Sequence, residues 1–122
     1  MKAYALITTL SLFGLPAYAD MVMTLDWPSQ TREGDQYLIE VIGYNSEVSG
    51  NILVTTSPSE ALDIPLGDAA KMCIFAIANS QPITVLHGPF HGEIIPIVPE
   101  RATGKICISM FAQKSATWTV EF

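Results

Sequence analysis

The chain predicts an all-β protein, a small antiparallel β-sandwich or partly closed barrel of about eight strands with one disulfide. Three observations carry this. Apolar residues alternate with period two through most of the chain, and turn residues break the pattern at regular short intervals. The only two cysteines, Cys73 and Cys107, stand in similar apolar stretches, "KMCIFAIA" from Lys71 and "KICISMFA" from Lys105.

The elements follow in order. "MVMTLDW" (Met21 to Trp27) is a first strand, ended by the turn "PSQTREGD". "QYLIEVIGY" (Gln36 to Tyr44) is the second, with Tyr37, Ile39 and Val41 on one face; "NSEVSGN" turns the chain into a third, Asn51 to Thr56. "SPSEALD" has the spacing of a helix start, with Ser57 as cap, Pro58 at the first position and Glu60 closing a capping box, and Pro65 limits it to one or two turns. Strands follow at Met72 to Ala78, Ile83 to His87, Gly92 to Val98, Ile106 to Ala112 and Ala116 to Phe122. Pro96 places the Gly92 to Val98 strand at an edge or a bulge, whereas the two cysteine strands, apolar on both faces, read as central.

Residues 1–19 read as a secretory signal peptide. Lys2 precedes an apolar run from Ala3 to Leu15, and Ala17 and Ala19 flank Tyr18 in the small-x-small arrangement of a cleavage site. The run is too short for a membrane anchor, which needs about 20 apolar residues, so no membrane insertion is expected. A single exported domain over residues 20–122 is the expectation, placed in the periplasm. It retains five basic residues against all twelve acidic ones, a net charge of −7. Such a surface disfavours nucleic acid and anionic lipid and suits a basic protein partner.

Export bears on the cysteines. In an oxidising compartment two cysteines usually pair, and closing a loop of 34 residues stabilises by roughly 3–4 kcal/mol. A thiol redox site would show Cys-x-x-Cys and a cysteine zinc site more ligands, so a structural Cys73–Cys107 bridge is predicted.

No sequence motif of catalysis is present: no Gly-x-Ser-x-Gly, no phosphate loop, no His-Glu-x-x-His. The chain therefore reads as a non-enzyme without a cofactor. The densest polar-aromatic stretch is "HGPFHGE", which places His87, Phe90, His91 and Glu93 on one connection stiffened by Gly88, Pro89 and Gly92. His87, His91 and Glu93 match an open three-ligand zinc site, but solvated turn histidines are the commoner case and no metal is assigned. A stiff loop presenting Phe90 and two imidazoles to a protein partner suits these residues better than zinc, since little entropy is lost on docking, and an ordinary hairpin turn with Phe90 tucked inward is the equal alternative. Trp27, at a strand end beside Pro28, is the competing anchor, with a half-exposed ring. Trp118, inside the last strand, reads as core.

Taken whole, the sequence resembles the small periplasmic immunity proteins of type VI secretion systems, in particular those guarding against VgrG-linked effectors that cut peptidoglycan. The resemblance runs along the entire chain: the "PAYAD" cleavage site, the acidic all-β domain, the pair "MCI…ICI" and the ending "ATWTVEF". It implies a protein that binds a lysozyme-like effector and occludes its active-site cleft, often as a homodimer. The residues themselves leave a second class open, a structural or assembly module such as a surface subunit.

Overall fold

The computed structural model describes residues 21–110 and 115–122. The expected signal peptide lies outside the described residues. Among the described residues nine strands form: β1 (Met21–Asp26), β2 (Gln36–Ile42), β3 (Val48–Thr55), β4 (Ala61–Gly67), β5 (Lys71–Ala76), β6 (Val85–Phe90), β7 (Glu93–Ile97), β8 (Ile106–Ser109) and β9 (Ala116–Glu121). They build two sheets, one of five strands in the order β4-β1-β9-β6-β7 and one of four in the order β3-β2-β5-β8. The fold is an all-β sandwich, not a closed barrel. Every pairing is antiparallel except that of β1 with β9, which lie parallel in the middle of the larger sheet.

Period-two alternation places the core. From the larger sheet Met23, Leu25, Ile64, Leu66, Leu86, Trp118 and Val120 turn inward. Tyr37, Ile39, Val54, Met72, Ile74, Ile106 and Ile108 meet them from the smaller one. Trp118 is the largest of the fully buried side chains, and its indole lies flat against Gly88 of the neighbouring strand β6. A Cβ at position 88 would overlap three atoms of that ring, so only glycine fits.

The short helix expected after Ser57 does not form, and a ninth strand takes its place. Ser59 adopts a φ of 58° and donates its N–H to Pro28 O at 3.1 Å, while Glu60 O accepts the Trp27 N–H at 2.8 Å. The chain is thus turned and paired before a helical turn can begin. Leu62, Ile64 and Leu66 then alternate inward as β4, and Pro65 lies within that strand instead of ending it. It is tolerated because β4 is an edge. Trp27 points its backbone groups at β4, and Val22 gives its N–H to Ser115 Oγ on the β9 side at 3.0 Å. By alternation Leu62 and Ile64 bond to β1, whereas Asp63 and Pro65 face the open side.

Cys73 and Cys107 are bonded, as the sequence predicts, and stand directly opposite each other in the β5–β8 ladder. One detail differs from expectation: β8 is the edge of its sheet, not a central strand. The bridge lies on the outer face, alternating with the inward Met72, Ile74, Ile106 and Ile108. It clips an edge strand of four residues to its neighbour.

Two expected outcomes test this architecture. Gly88→Ala should lower stability by about 2 kcal/mol or more in urea unfolding, and shrinking the ring opposite it with Trp118→Leu should recover part of that loss. Independent, additive effects would refute the close seat. Replacing both cysteines by serine should lower stability by roughly 3–4 kcal/mol, and the unreduced native protein should offer no alkylatable thiol by mass spectrometry.

Candidate functional site

The stretch "HGPFHGE" is not a loop. His87, Gly88, Pro89 and Phe90 belong to β6, Glu93 opens β7, and only His91 and Gly92 turn the chain. Both turn residues have positive φ, 51° and 85°, the requirement of a two-residue hairpin turn whose twist matches that of its strands. The projection is therefore shorter and stiffer than the four-residue connection, Gly88 to His91, that the expected strand bounds leave.

The turn divides the sequence-predicted residues. Phe90 and Glu93 face each other across the last rung of the ladder, with His91 beside them. Phe90 is half-buried and meets the His91 imidazole edge-on, with ring centroids 4.2 Å apart. His91 and Glu93 are exposed. His87 is not part of this group: three residues back on alternating β6, it lies on the opposite face, with Nδ1 4.0 Å from Glu121 Oε1. A reading by residue type missed Ile94, which is 70 % exposed next to Glu93 and adds an apolar step to the tip. Its signal was parity: Ile94 pairs with Pro89 and so lies on the outward face that His87 shares, opposite that of Phe90 and Glu93.

Trp27, the competing anchor, is a correction. It is only 2 % exposed and packs between Tyr37, with centroids 4.9 Å apart, and Phe122, at 6.2 Å. The ring expected to stand half-exposed is core. The turn that follows it is tied down rather than presented. Arg32 pairs with Asp35 at 3.0 Å and donates to Asn79 O at 2.6 Å, and Asp35 Oδ2 accepts the Gln81 N–H at 2.9 Å. Ser80 Oγ accepts the Gln36 N–H, the Tyr37 hydroxyl donates to Gln81 O, and Thr56 Oγ1 donates to Arg32 O and Asp35 O. The Gln81 N–H and then Arg32 hold the Asp35 carboxyl below the usual range. Burial, with Asp35 nearby, pushes the Tyr37 phenol up to about 12.

The outer face of the smaller sheet carries a second feature. Leu53, Leu38 and Phe75 lie in one row across β3, β2 and β5. Lys105 reaches over the Phe75 ring, 4.9 Å from its centroid, and pairs with Glu40 at 2.9 Å beside the disulfide. Among the described residues no group of three His, Cys, Asp or Glu side chains is arranged to hold a metal ion, and no helix is long and apolar enough to cross a membrane. Compared with known protein families, curated proteins and solved structures, the chain matches none.

The Asp35 network has a defined pH signature. A carboxyl held below its unfolded value contributes stability that is present above about pH 4 and lost as the pH falls through the folded value. Asp35→Asn should therefore flatten the acid limb of the stability profile below about pH 4 while changing its slope little above about pH 6. An unchanged acid limb in urea titrations would remove Asp35 as its source.

Proposed function

We infer that the chain is a non-catalytic binding protein of the immunity type, acting in an oxidising compartment by inserting the β6–β7 tip into the cleft of a cell-wall hydrolase. The observation that carries this reading is the tip itself. Its two-residue turn holds Phe90, His91 and Glu93 together, with the exposed Ile94 on the opposite face of the hairpin, so a mixed aromatic and polar end projects on a backbone that loses little entropy when it docks. The His91 imidazole N–H suits a carboxylate of a glycan-cleaving site, the Phe90 ring suits a sugar subsite, and Glu93 suits a basic rim. A net charge of −7 after export assists approach to a basic enzyme. The disulfide is compatible with an oxidising space such as the periplasm. The choice of a peptidoglycan-degrading partner rests on the resemblance to type VI immunity proteins.

The test pairs inhibition with binding. The purified protein should leave peptidoglycan intact and suppress a co-encoded hydrolase at near-stoichiometric amounts. Phe90→Ala and His91→Asn, the latter chosen because asparagine tolerates positive φ, should each weaken that complex by about 1 kcal/mol or more with little change in thermal midpoint. Cell-wall turnover by the isolated protein, or wild-type inhibition by both variants, would overturn the reading.

A further inference from the structure

Each sheet of an open sandwich leaves two edges, and an unguarded edge is a template for another strand. Three of the four edges here are blunted. On β4, Pro65 faces the open side, as derived above. On β7, Pro96 stands opposite His87. Proline has no N–H to give, and alternation with the β9 ladder turns His87 toward Thr119, so Pro96 and Ile94 point away from β6. The β8 edge is four residues long and is held by the disulfide.

β3 is different. It is the longest strand, eight residues with neither proline nor charge: Val48, Ser49, Gly50, Asn51, Ile52, Leu53, Val54 and Thr55. The direction of its backbone groups follows from the bonds around it. Gln36 O and Ile42 O accept from Ile77 and Ala70, which flank β5, at 3.1 and 2.9 Å, so the alternate residues Tyr37, Ile39 and Val41 bond to β3. Thr56 donates to Asp35 O at 2.9 Å, which sets the same parity at the other end. Val54 and Ile52 therefore bond to β2, and the N–H and C=O groups of Asn51, Leu53 and Thr55 face outward. All three side chains are exposed, Leu53 by 54 %. Leu53 continues inward along the row Leu38 and Phe75, so a strand added outside β3 would lengthen an existing apolar row.

Charge selects the occupant. The uncharged span ends in a carboxylate on each side, Glu47 just before Val48 and Glu33, which accepts from Ser57 Oγ at 2.8 Å, just beyond Thr55. A second copy lying antiparallel on this edge would set the Glu47 end against the Glu33 end, carboxylate toward carboxylate. A strand with basic residues at both ends and an uncharged, alternating middle meets neither penalty.

We propose that the open edge of β3 is a strand-addition site for an extended segment of a partner protein, uncharged in its middle and basic at its ends. This surface lies on the smaller sheet and does not depend on the reading of the β6–β7 tip.

The full, oxidised protein is titrated with fluorescently labelled Lys-Arg-Thr-Val-Thr-Val-Thr-Arg-Lys, followed by anisotropy and by amide exchange. The peptide should bind saturably and slow exchange at Asn51, Leu53 and Thr55 by about tenfold or more. Replacing its central threonine by proline, or its four basic residues by glutamate, should each weaken binding by about tenfold. Leu53→Lys, a change at an exposed position with its fold checked by thermal unfolding, should weaken it similarly. No saturable binding, equal binding of the proline peptide, or protection confined to other strands would overturn the site. So would a protein dimer in sedimentation that Leu53→Lys dissociates, because the edge would then belong to a second copy.

Discussion

The larger sheet depends on one contact, the Trp118 indole lying on the backbone of Gly88. β9 runs between β1 and β6, parallel to one and antiparallel to the other, so its inward residues sit at the centre of the interface between the sheets. An indole at that position needs a neighbour without a side chain, and β6 supplies one at the rung beyond its last pair with β9. A glycine that reads in sequence as loop material is in fact what lets a strand pass under the largest core residue. It also places Pro89 and Phe90 beyond the contact, where β6 no longer pairs with β9 and extends with β7 as a two-stranded finger. Packing at the core and projection at the tip are thus consequences of one local sequence.

The prolines obey a single backbone rule. Pro65, Pro89 and Pro96 all lie inside strands, and each falls where the missing N–H would have pointed away from a partner. Pro89 faces the side where the β9 ladder has already ended at His87, and Pro65 and Pro96 face open edges. Read one residue at a time, these prolines argue against strands; read with parity, they locate the edges.

This accounts for what was legible in the sequence. Eight strands announced themselves through alternation, Pro96 marked its strand as an edge or a bulge and it is an edge, and the disulfide followed from two cysteines in apolar stretches of an expected exported chain. β4 was hidden because Ser57, Pro58 and Glu60 satisfy a capping spacing that Ser59 and the Trp27–Glu60 bond override. That is a tertiary constraint with no local signature. The finger was hidden for a similar reason, since the need for Gly88 comes from Trp118, thirty positions away. Trp27 misled because a strand end beside proline says nothing about what closes over it, and the residue that does so, Phe122, comes from the opposite end of the chain. Phe90, His91 and Glu93 were found by residue type and do converge, whereas His87 was separated from them by alternation alone.

The smaller sheet is held unevenly across its width. On the β8 side the backbone ladder is reinforced by the disulfide and by Lys105, which ties β2 through Glu40 and covers β5 through Phe75. These ties span three of its four strands on the outer face. β3 is joined by the β2 ladder and by inward Val54 and Ile52, with a bulge where Ser49 is left over between the Gly50 and Val48 rungs. The side chain of Ser49 meets the bulge locally by donating to Val41 O at 3.1 Å. Among the described residues, a short edge strand clipped to its neighbour by a covalent bond and a long edge strand with no further strand beside it are opposite solutions within one sheet. The first needs no further partner for stability, and the second leaves the outward groups of Asn51, Leu53 and Thr55 to whatever strand can match them.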